Sequence, residues 1–446
     1  MENKAKIPVI IDTDPGVDDV LAILLALASP ELEILAIIVT FGNTDVQSAY
    51  TNIFKIYQAV SRHLELYPED NARFPNFAPA NKPIFAVGPD GPLEGGTHYA
   101  HYFHGRDGLG NITERHPDLN ISGTDSAFES NFVVSTKSSV EVTLELLRSR
   151  PGQISYIALG PLTNLASTLR ADPETVRNGI GRVICMGGAI DVPGNTTPVA
   201  EFNFFADPFA VKELLTPPEP ELGLPLERFV LLPLDITTSH ELPFTLYKDK
   251  IDPDFDSTLR PSDASAKSPI CHFTSSFLER TREVLLAYNM DAMELHDIVA
   301  VWCAIENPPV TSAKTSLPTM ASGWEVTGRN FDIERYGDVT RGMLVVDRRA
   351  GANAQDFPPM ENRAHSFETS VPPSPSVTEA PVDEDEDEDT DIGILLGDRG
   401  SSECVVGASA PEGRRSVACV VTTPGPETLL QILLKRVWAV SESSAS

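Results

Sequence analysis

The segment Val9-Ile10-Ile11-Asp12-Thr13-Asp14-Pro15-Gly16-Val17-Asp18-Asp19 decides the predicted fold. Its β-branched start predicts a buried strand, and the Pro-Gly pair predicts a turn. The apolar residues that follow recur with helical spacing and share one face: Val17, Leu21, Leu24, Leu25 and Ala28. Four carboxylates therefore lie within eight residues, directly after a strand and at the start of a helix.

The same alternation of strand and helix continues along the first half of the chain. Further apolar runs predict strands at Ile34–Val39, Ile154–Leu159, Val183–Met186 and Phe229–Leu234. Continuous apolar strands separated by helices predict a single large α/β domain, with a mostly parallel central sheet flanked by helices. In such sheets ligands bind at the C-terminal ends of the strands, so we expect the active site there.

Helix capping explains only part of the acidic cluster. Asp18 and Asp19 fall in the first helical turn, where the helix dipole favours anions. Asp12 and Asp14 lie at or beside a buried strand, where like charges repel unless a cation is present. Clustered oxygen ligands suit Ca²⁺ or Mg²⁺ better than zinc, so the cluster predicts a metal site.

Two known motifs place Asp-x-Asp after a first strand. Haloacid-dehalogenase phosphatases use Asp-x-Asp-x-Thr/Val, and Gly16 breaks that pattern, which counts against a Mg²⁺-dependent phosphohydrolase. The longer pattern Asp-x-Asp-Pro-Gly-x-Asp-Asp fits in full. It resembles the signature of the inosine-uridine preferring nucleoside hydrolases, a family of ribonucleoside hydrolases.

Further motifs occur in the order that this family has them, and the resemblance covers roughly Lys6–Val346 and resumes near Val417. They are Thr40-Phe41-Gly42-Asn43, His104-Gly105-Arg106-Asp107-Gly108-Leu109-Gly110, Leu159-Gly160-Pro161-Leu162-Thr163-Asn164, Met186-Gly187-Gly188, Asn195, Ala200-Glu201-Phe202-Asn203 and Leu295-His296-Asp297.

The resemblance implies hydrolysis of the N-glycosidic bond of ribonucleosides, of the uridine and inosine type, to ribose and free base. It implies a Ca²⁺ that holds the reacting water, with Asp14, Asp19, Asp297 and the main-chain carbonyl of Leu159 as ligands. Asp14 would also activate the Ca²⁺-bound water as general base, and Asp12 would orient the site from outside the ligand shell. The sugar hydroxyls would be held by Asp18, Asn43, Asn195, Glu201 and Asn203.

Several of these residues also have a simpler interpretation. Asn43 and Asn195 are typical turn residues. Asp297 lies at a predicted helix start, where capping competes with metal ligation. Glu201 and Asn203 flank an aromatic run, and strand alternation predicts that both point to one side of an extended segment.

His296 is predicted to be catalytic, because an imidazole can protonate or hydrogen-bond a leaving base near neutral pH. The alternative is a core histidine paired to a carbonyl. The resemblance associates His before this Asp with pyrimidine-preferring and relaxed-specificity members, and it implies a substrate-binding loop over the ribose that carries His104. It also implies base contacts from the helix Ile270–Tyr288, although aromatic stripes at this spacing are more often core: Phe273, Phe277 and Tyr288.

The 446 residues carry 34 Lys+Arg and 64 Asp+Glu, a net charge of −30, which disfavours nucleic acids and anionic membranes as partners. The five cysteines form no CxxC pair, which argues against a zinc site or a disulfide framework. Neither a signal peptide nor a membrane-spanning run is evident. We therefore expect a cytoplasmic protein. The resemblance implies an enzyme of purine and pyrimidine salvage and a homodimer or homotetramer.

Composition predicts an acidic low-complexity insertion at 351–415. The resemblance implies a nucleoside-hydrolase domain at 1–350, and a returning strand and helix of the same domain are predicted at 416–446. Between His365 and Arg415 lie 13 Asp+Glu and 3 Lys+Arg, so we expect disorder there. One alternative is a catalytically weak or inactive member that binds nucleoside or a protein partner. The complete set of Asp residues argues against it.

Overall fold

The fold is a layered arrangement of strands and helices that brings the acidic segment to its centre. The computed structural model describes residues 5–121, 128, 130–309, 317–346 and 416–440. The strands are β1 Ile7–Thr13, β2 Leu32–Val39, β3 Ile84–Val87, β4 Val133–Val134, β5 Ile154–Ala158, β6 Ile180–Met186, β7 Phe229–Leu232, β8 Glu241–Pro243, β9 Ala292–Glu294, β10 Glu325–Arg329, β11 Phe331–Ile333, β12 Leu344–Val346 and β13 Val417–Thr422. The helices are α1 Val17–Leu27, α2 Val46–Leu66, α3 His101–His104, α4 Ile112–Arg115, α5 Ser139–Ser149, α6 Thr163–Ala171, α7 Pro173–Gly179, α8 Phe202–Ala206, α9 Pro208–Leu215, α10 Leu234–Thr237, α11 Phe244–Lys250, α12 Pro269–Leu286, α13 His296–Glu306 and α14 Pro426–Trp438.

Nine strands form the central sheet in the order β10-β13-β7-β6-β5-β1-β2-β3-β4. The β10–β13 pair is antiparallel, and every other neighbouring pair of this sheet is parallel. The predicted α/β fold with a mostly parallel sheet is confirmed. From β1 the chain builds outward to β4 and then returns to β5 on the other side of β1. The C-terminal end of β1 is therefore a topological switch point, where such sheets bind ligands.

Helix α1 is buried on every side. The sequence pattern predicted one apolar face, but each residue from Asp19 to Leu27 is buried. The helix lies on the sheet and is covered by α2, α12, α13 and α14. With helices around it, no side of α1 meets water, and the segment Val20–Leu27 is apolar throughout.

The chain that follows the predicted insertion contributes one strand to the central sheet and one helix to the core. Strand β13 lies between β7 and β10, and the apolar residues Leu429, Leu433 and Val437 of α14 are fully buried. Arg436 of the same helix donates to Glu31 at 2.9 Å. The predicted insertion 351–415 lies outside the described residues.

Local predictions were wrong where short elements occur. The Ser-, Thr- and Asn-rich segment 113–137 predicts a loop, but it contains β4, an edge strand that pairs with β3 and whose two valines are exposed. The predicted strand Phe229–Leu234 ends at Leu232, because Pro233 and helix α10 follow. Strand β4 has only two residues, which is too few to show the alternation that identifies a strand in a sequence. Among the described residues, no helix is both long and apolar enough to cross a bilayer.

Candidate active site

Asp14 lies at the bottom of the predicted site, directly after β1. Its Oδ2 accepts a hydrogen bond of 2.7 Å from the main-chain N–H of Asn43, which follows β2. Its Oδ1 is buried and has no hydrogen-bond partner in the described part of the chain. Burial and the neighbouring charge of Asp19 raise the pKa of Asp14 well above its usual value. One carboxylate oxygen is thus held by the protein and the other is available.

Two glycines allow the Asp14 carboxylate to sit this close to the main chain. A Cβ at Gly42 would lie 2.0 Å from Asp14 Oδ2, and a Cβ at Gly160 would lie 2.5 Å from Asp14 Oδ1. Both glycines follow strands that flank β1, so the sheet order brings them to the same point. No side chain larger than hydrogen fits at either position without displacing Asp14.

Asp18, Asp19 and Asp297 converge beside Asp14. One carboxylate oxygen from each lies within 4.8 Å of the others, although Asp297 comes from α13. Two members of this cluster, Asp19 and Asp297, are predicted metal ligands, and the third, Asp18, is not. Asp14, the remaining predicted carboxylate ligand, does not lie within 4.8 Å of all three. Burial and the like charges of its neighbours raise the pKa of Asp297 well above its usual range, and raise the pKa of Asp18 to about 7. Such a cluster calls for a compensating cation.

The donor set fits the predicted metal. The three converging side chains are all carboxylates, and hard divalent cations such as Ca²⁺ and Mg²⁺ prefer oxygen ligands. The buried, unpartnered Oδ1 of Asp14 is an additional oxygen that has no protein donor. The Asp19 carboxylate has more hydrogen-bond donors than that of Asp14, since it accepts from Thr13 Oγ1, the Gly16 N–H and the Asn43 side chain.

The Leu159 carbonyl has a protein partner. The side-chain amide of Asn203 donates to the Leu159 oxygen at 2.6 Å. Asn203 lies in α8, and Glu201 is the N-cap of that helix, with its side chain accepting from the N–H groups of Gly188, Asn203 and Phe204. The prediction of an extended segment at these residues was wrong, because capping by Glu201 starts a helix. Both side chains nevertheless line the cavity described below.

Asp12 is held from behind the cluster. The Tyr156 hydroxyl donates to its Oδ2 at 2.6 Å, and the Asn164 side chain in turn donates to the Tyr156 oxygen at 2.8 Å. Burial raises the pKa of Asp12 to about 7 despite these hydrogen bonds. Asp12 does not line the cavity; its neighbour along the chain is Thr13, which donates to Asp19.

A cavity of about 400 Å³ opens above the carboxylates. Of the predicted site residues it is lined by Asp18, Asn43, His104, Leu159, Asn195, Glu201, Asn203, His296 and Asp297. Asn195 lies at the exposed end, where its side-chain oxygen accepts from the Phe202 N–H at 3.0 Å. The structure therefore brings nine of the twelve predicted residues to one cavity, whose volume suits a small molecule, whereas Asp12, Asp14 and Asp19 are buried and do not line it.

The pKa values of the two cavity histidines shift in opposite directions. The Val17 N–H donates to His104 Nδ1 at 3.1 Å, so that nitrogen is an acceptor, and burial lowers the pKa of His104 to about 3. His296 Nε2 lies 3.1 Å from Glu294 Oε2, and its Nδ1 lies 2.8 Å from the Thr237 hydroxyl. Burial alone would lower the pKa of His296, but Glu294 and other nearby carboxylates raise it overall.

Glu294 and most of the apolar side of the cavity were not predicted. Glu294 ends β9 and His296 begins α13, so neither strand nor helix periodicity relates the two, and only their closeness in sequence could have suggested the pair. Of the predicted base contacts, Tyr288 lines the cavity, but Phe273 and Phe277 are buried in the core. Besides Tyr288, the predicted segment 270–288 contributes Val284 and Leu285 to the apolar wall. The wall also contains Tyr102, Phe103, Met186, Phe202, Met290 and Met293.

Comparison with known proteins gives one consistent result. The family model described as inosine-uridine preferring nucleoside hydrolase matches residues 9–371. The chain is 28% identical over 350 residues to a probable uridine nucleosidase 2 of Arabidopsis thaliana, covering 76% of this chain and 85% of that protein. It is 29% identical over 344 residues to the pyrimidine-specific ribonucleoside hydrolase RihA of Citrobacter koseri, covering 76% and 88%.

Solved structures support the same fold. A plant nucleoside hydrolase, PpNRh1, superimposes with a TM-score of 0.61 at 20% identity, covering 97% of this chain and 99% of that chain. A purine-preferring ribonucleoside hydrolase from Gardnerella vaginalis has a TM-score of 0.54 at 21% identity, covering 78% and 90%. With the family match spanning most of the chain, the protein belongs to the inosine-uridine preferring nucleoside hydrolases and is an enzyme of that family.

Proposed function

We propose that the protein hydrolyses ribonucleosides of the uridine and inosine type to ribose and free base, with Asp14 as general base in a Ca²⁺-dependent site. The observation that carries this proposal is the Asp14 carboxylate: Oδ2 is fixed by the Asn43 N–H, while the buried Oδ1 has no hydrogen-bond partner among the residues that the structure describes. A base must be both oriented and free to accept a proton, and these two oxygens divide those tasks.

Asp14, Asp19, Asp297 and the Leu159 carbonyl would hold the cation, with Asp18 beside them. A divalent cation bound there would polarise a water and the ribose hydroxyls. The carboxylates would then be held in their ionised form, in which Asp14 Oδ1 can take a proton from the attacking water.

The ribose would be gripped from several directions. Asp18, Asn43, Asn195, Glu201, Asn203 and His104 all line the cavity. Because Glu201 caps α8 and Asn43 is tied to Asp19, these polar groups are fixed before a substrate enters. A deoxyribose would leave buried polar groups unpaired, so we expect strong selection for the ribonucleoside.

His296 would assist departure of the base. It lies beside the apolar part of the cavity, and Glu294 favours its protonated form. A protonated imidazole can hydrogen-bond or protonate a leaving base and so stabilise the charge that develops on it. The neutral His104 would act only as a ribose contact.

Asp14→Asn tests the proposal. The amide keeps the shape and the Asn43 contact but cannot accept the proton of water, so kcat for uridine and inosine should fall by at least about 100-fold with Ca²⁺ present. Asp45→Asn is the matched control, because Asp45 caps α2 and Asn caps equally well. Release of ribose is the readout.

Equal turnover by Asp14→Asn and the wild type would contradict the role of Asp14. Absence of ribose release from any nucleoside by the folded wild type would contradict the activity itself and favour a binding protein. The cytoplasmic location, the role in salvage and the homodimeric or homotetrameric state stay predictions.

A further inference from the structure

A second cluster of metal-binding side chains lies away from the carboxylate site. His116 follows α4, Asp118 lies in the turn after it, and His272 lies in the first turn of α12. One ligand atom from each of the three lies within 4.8 Å of the others. Both imidazoles are buried, with 3% exposure each, whereas half of the Asp118 side chain is exposed. The cluster thus has two fixed nitrogen donors and one carboxylate that reaches solvent.

The cluster is distinct from the predicted active site. Both use α12, but the cavity over Asp14 is lined by Val284 and Leu285, about 13 residues after His272 in sequence. At 1.5 Å per residue this separation is roughly 20 Å along the helix. A ligand at the cluster would therefore not touch a nucleoside in the cavity.

The hydrogen bonds around the cluster orient the imidazoles. His272 Nδ1 lies 3.0 Å from the Ser262 hydroxyl, which leaves Nε2 facing Asp118 Oδ2 at 2.9 Å. His116 Nε2 lies 3.3 Å from the buried carboxylate of Glu279. An imidazole that binds a metal through one nitrogen almost always donates from the other to a fixed oxygen. Ser262 would be this partner for His272, and Glu279 for His116, which would then bind the metal through Nδ1.

Four cationic side chains lie near the cluster: Lys55, Arg62, Arg115 and Lys267. Lys267 pairs with Asp252 at 2.6 Å, and Arg62 donates to the Asp118 carbonyl at 2.8 Å. Arg115 lies near His116, but its guanidinium donates to Glu279 at 3.0 Å, so the two charges offset each other. A cavity of about 90 Å³ borders Asp118 and His272 and gives access to them. Lys55 also lines this cavity and is paired with Asp107 at 4.0 Å.

We propose that His116, Asp118 and His272 form a second metal site, which takes a zinc-class divalent transition metal. Two imidazoles and one carboxylate are the protein ligands of many zinc sites, which complete a tetrahedron with water. This donor set differs from the all-oxygen cluster at Asp14, which suits Ca²⁺. The lack of CxxC pairs argues only against cysteine-ligated zinc. A metal here would tie the turn after α4 to the start of α12.

Zinc binding by the untagged, full-length protein tests the proposal. The chain is stripped with chelator, returned to excess Ca²⁺ to fill the carboxylate site, and dialysed against Zn²⁺ before elemental analysis. We expect one Zn²⁺ per wild-type chain, less than about a tenth of that for His272→Asn, and one for the control His98→Asn. Asp118→Asn should lose Zn²⁺ as well. Because Asp118 is half-exposed, this variant provides the test if His272→Asn fails to fold.

Three outcomes would overturn the proposal. The first is a wild-type chain that retains no Zn²⁺ in excess Ca²⁺. The second is full Zn²⁺ retention by His272→Asn or Asp118→Asn. The third is loss of Zn²⁺ in Asp297→Asn, which would assign the ion to the carboxylate site. Substitution with Co²⁺ adds an independent readout, since two imidazole ligands in a tetrahedral site give a strong visible absorption.

Discussion

Asp14 and Glu201 are both buried carboxylates of the same cavity, yet their oxygens are used differently. Glu201 accepts from three main-chain N–H groups, so its negative charge is compensated by the start of α8. Asp14 accepts from one, and its Oδ1 is left unpartnered. Burial raises the pKa of both groups, but only Asp14 has an oxygen free for chemistry. Asp12 Oδ1 is likewise buried without a partner among the described residues, so this count separates Asp14 from Glu201 and not from Asp12.

Glu294 should support catalysis through His296. Glu294→Gln keeps the side-chain shape but removes the charge that faces His296 Nε2. A hydrogen bond between charged groups contributes about 1.5–3 kcal/mol, which corresponds to roughly a 10- to 100-fold change in rate. We expect kcat/KM for uridine to fall by this factor, measured with saturating Ca²⁺.

Glu241→Gln is the control for Glu294. Glu241 pairs directly opposite Glu294 in the β8–β9 ribbon, but its side chain is exposed and does not line the cavity. Its replacement should change kcat/KM by less than about twofold, because nearby surface substitutions have little effect. Similar losses in both variants would show that the ribbon, and not the Glu294 carboxylate, matters.

At the scale of elements, prediction from sequence succeeded where a pattern was long or a motif was local. The apolar runs of β1 and β2 and the acidic segment between β1 and α1 identify both the sheet and the position of the site. It failed where a neighbour distant in sequence decides the outcome. Phe273, Phe277 and Leu285 share one helical spacing, yet Leu285 lines the cavity and the two phenylalanines lie in the core. The sequence pattern does not distinguish these two positions. Edge strand β4 and the antiparallel pairing of β10 are likewise fixed by tertiary contacts.

Helix α14 should be an integral part of the core despite the long stretch of chain before it. Leu433 is fully buried, so Leu433→Ala should lower the free energy of unfolding by about 2–5 kcal/mol through lost burial and a cavity. Urea titration followed by circular dichroism measures this change. Leu259→Ala is the control at a 90% exposed leucine and should change stability by less than about 0.5 kcal/mol. Equal effects would mean that α14 does not pack in solution.

At the scale of the whole molecule, the buried carboxylates couple metal binding to stability. Asp14, Asp18, Asp19 and Asp297 come from two parts of the chain and meet only in the folded state, so a cation there stabilises that state. At a Ca²⁺ concentration 100 times the Kd, linkage predicts a gain of about 2.7 kcal/mol over chelated protein. Differential scanning calorimetry should show a higher Tm with Ca²⁺ for the wild type and Asp45→Asn. A Ca²⁺ shift that persists in Asp297→Asn would contradict this assignment.

We propose that 1–350 and 416–446 form one catalytic domain and that 351–415 is an insertion with no part in chemistry. Before the segment, strand β12 ends at Val346 in a two-stranded sheet with β11. After it, strand β13 begins at Val417 in the central sheet, so the flanking chain is fixed on both sides. Replacing 351–415 with a Gly/Ser linker of about 20 residues should leave kcat/KM within about twofold. Stability should change by only about 1 kcal/mol, because the entropy of loop closure depends weakly on length.

A second linker of the same length, with alternating Glu and Ser, tests whether the negative charge of the segment matters apart from its sequence. If turnover fell with both linkers while the Tm held, the segment itself would contribute to activity; if it fell only with the neutral linker, its negative charge would.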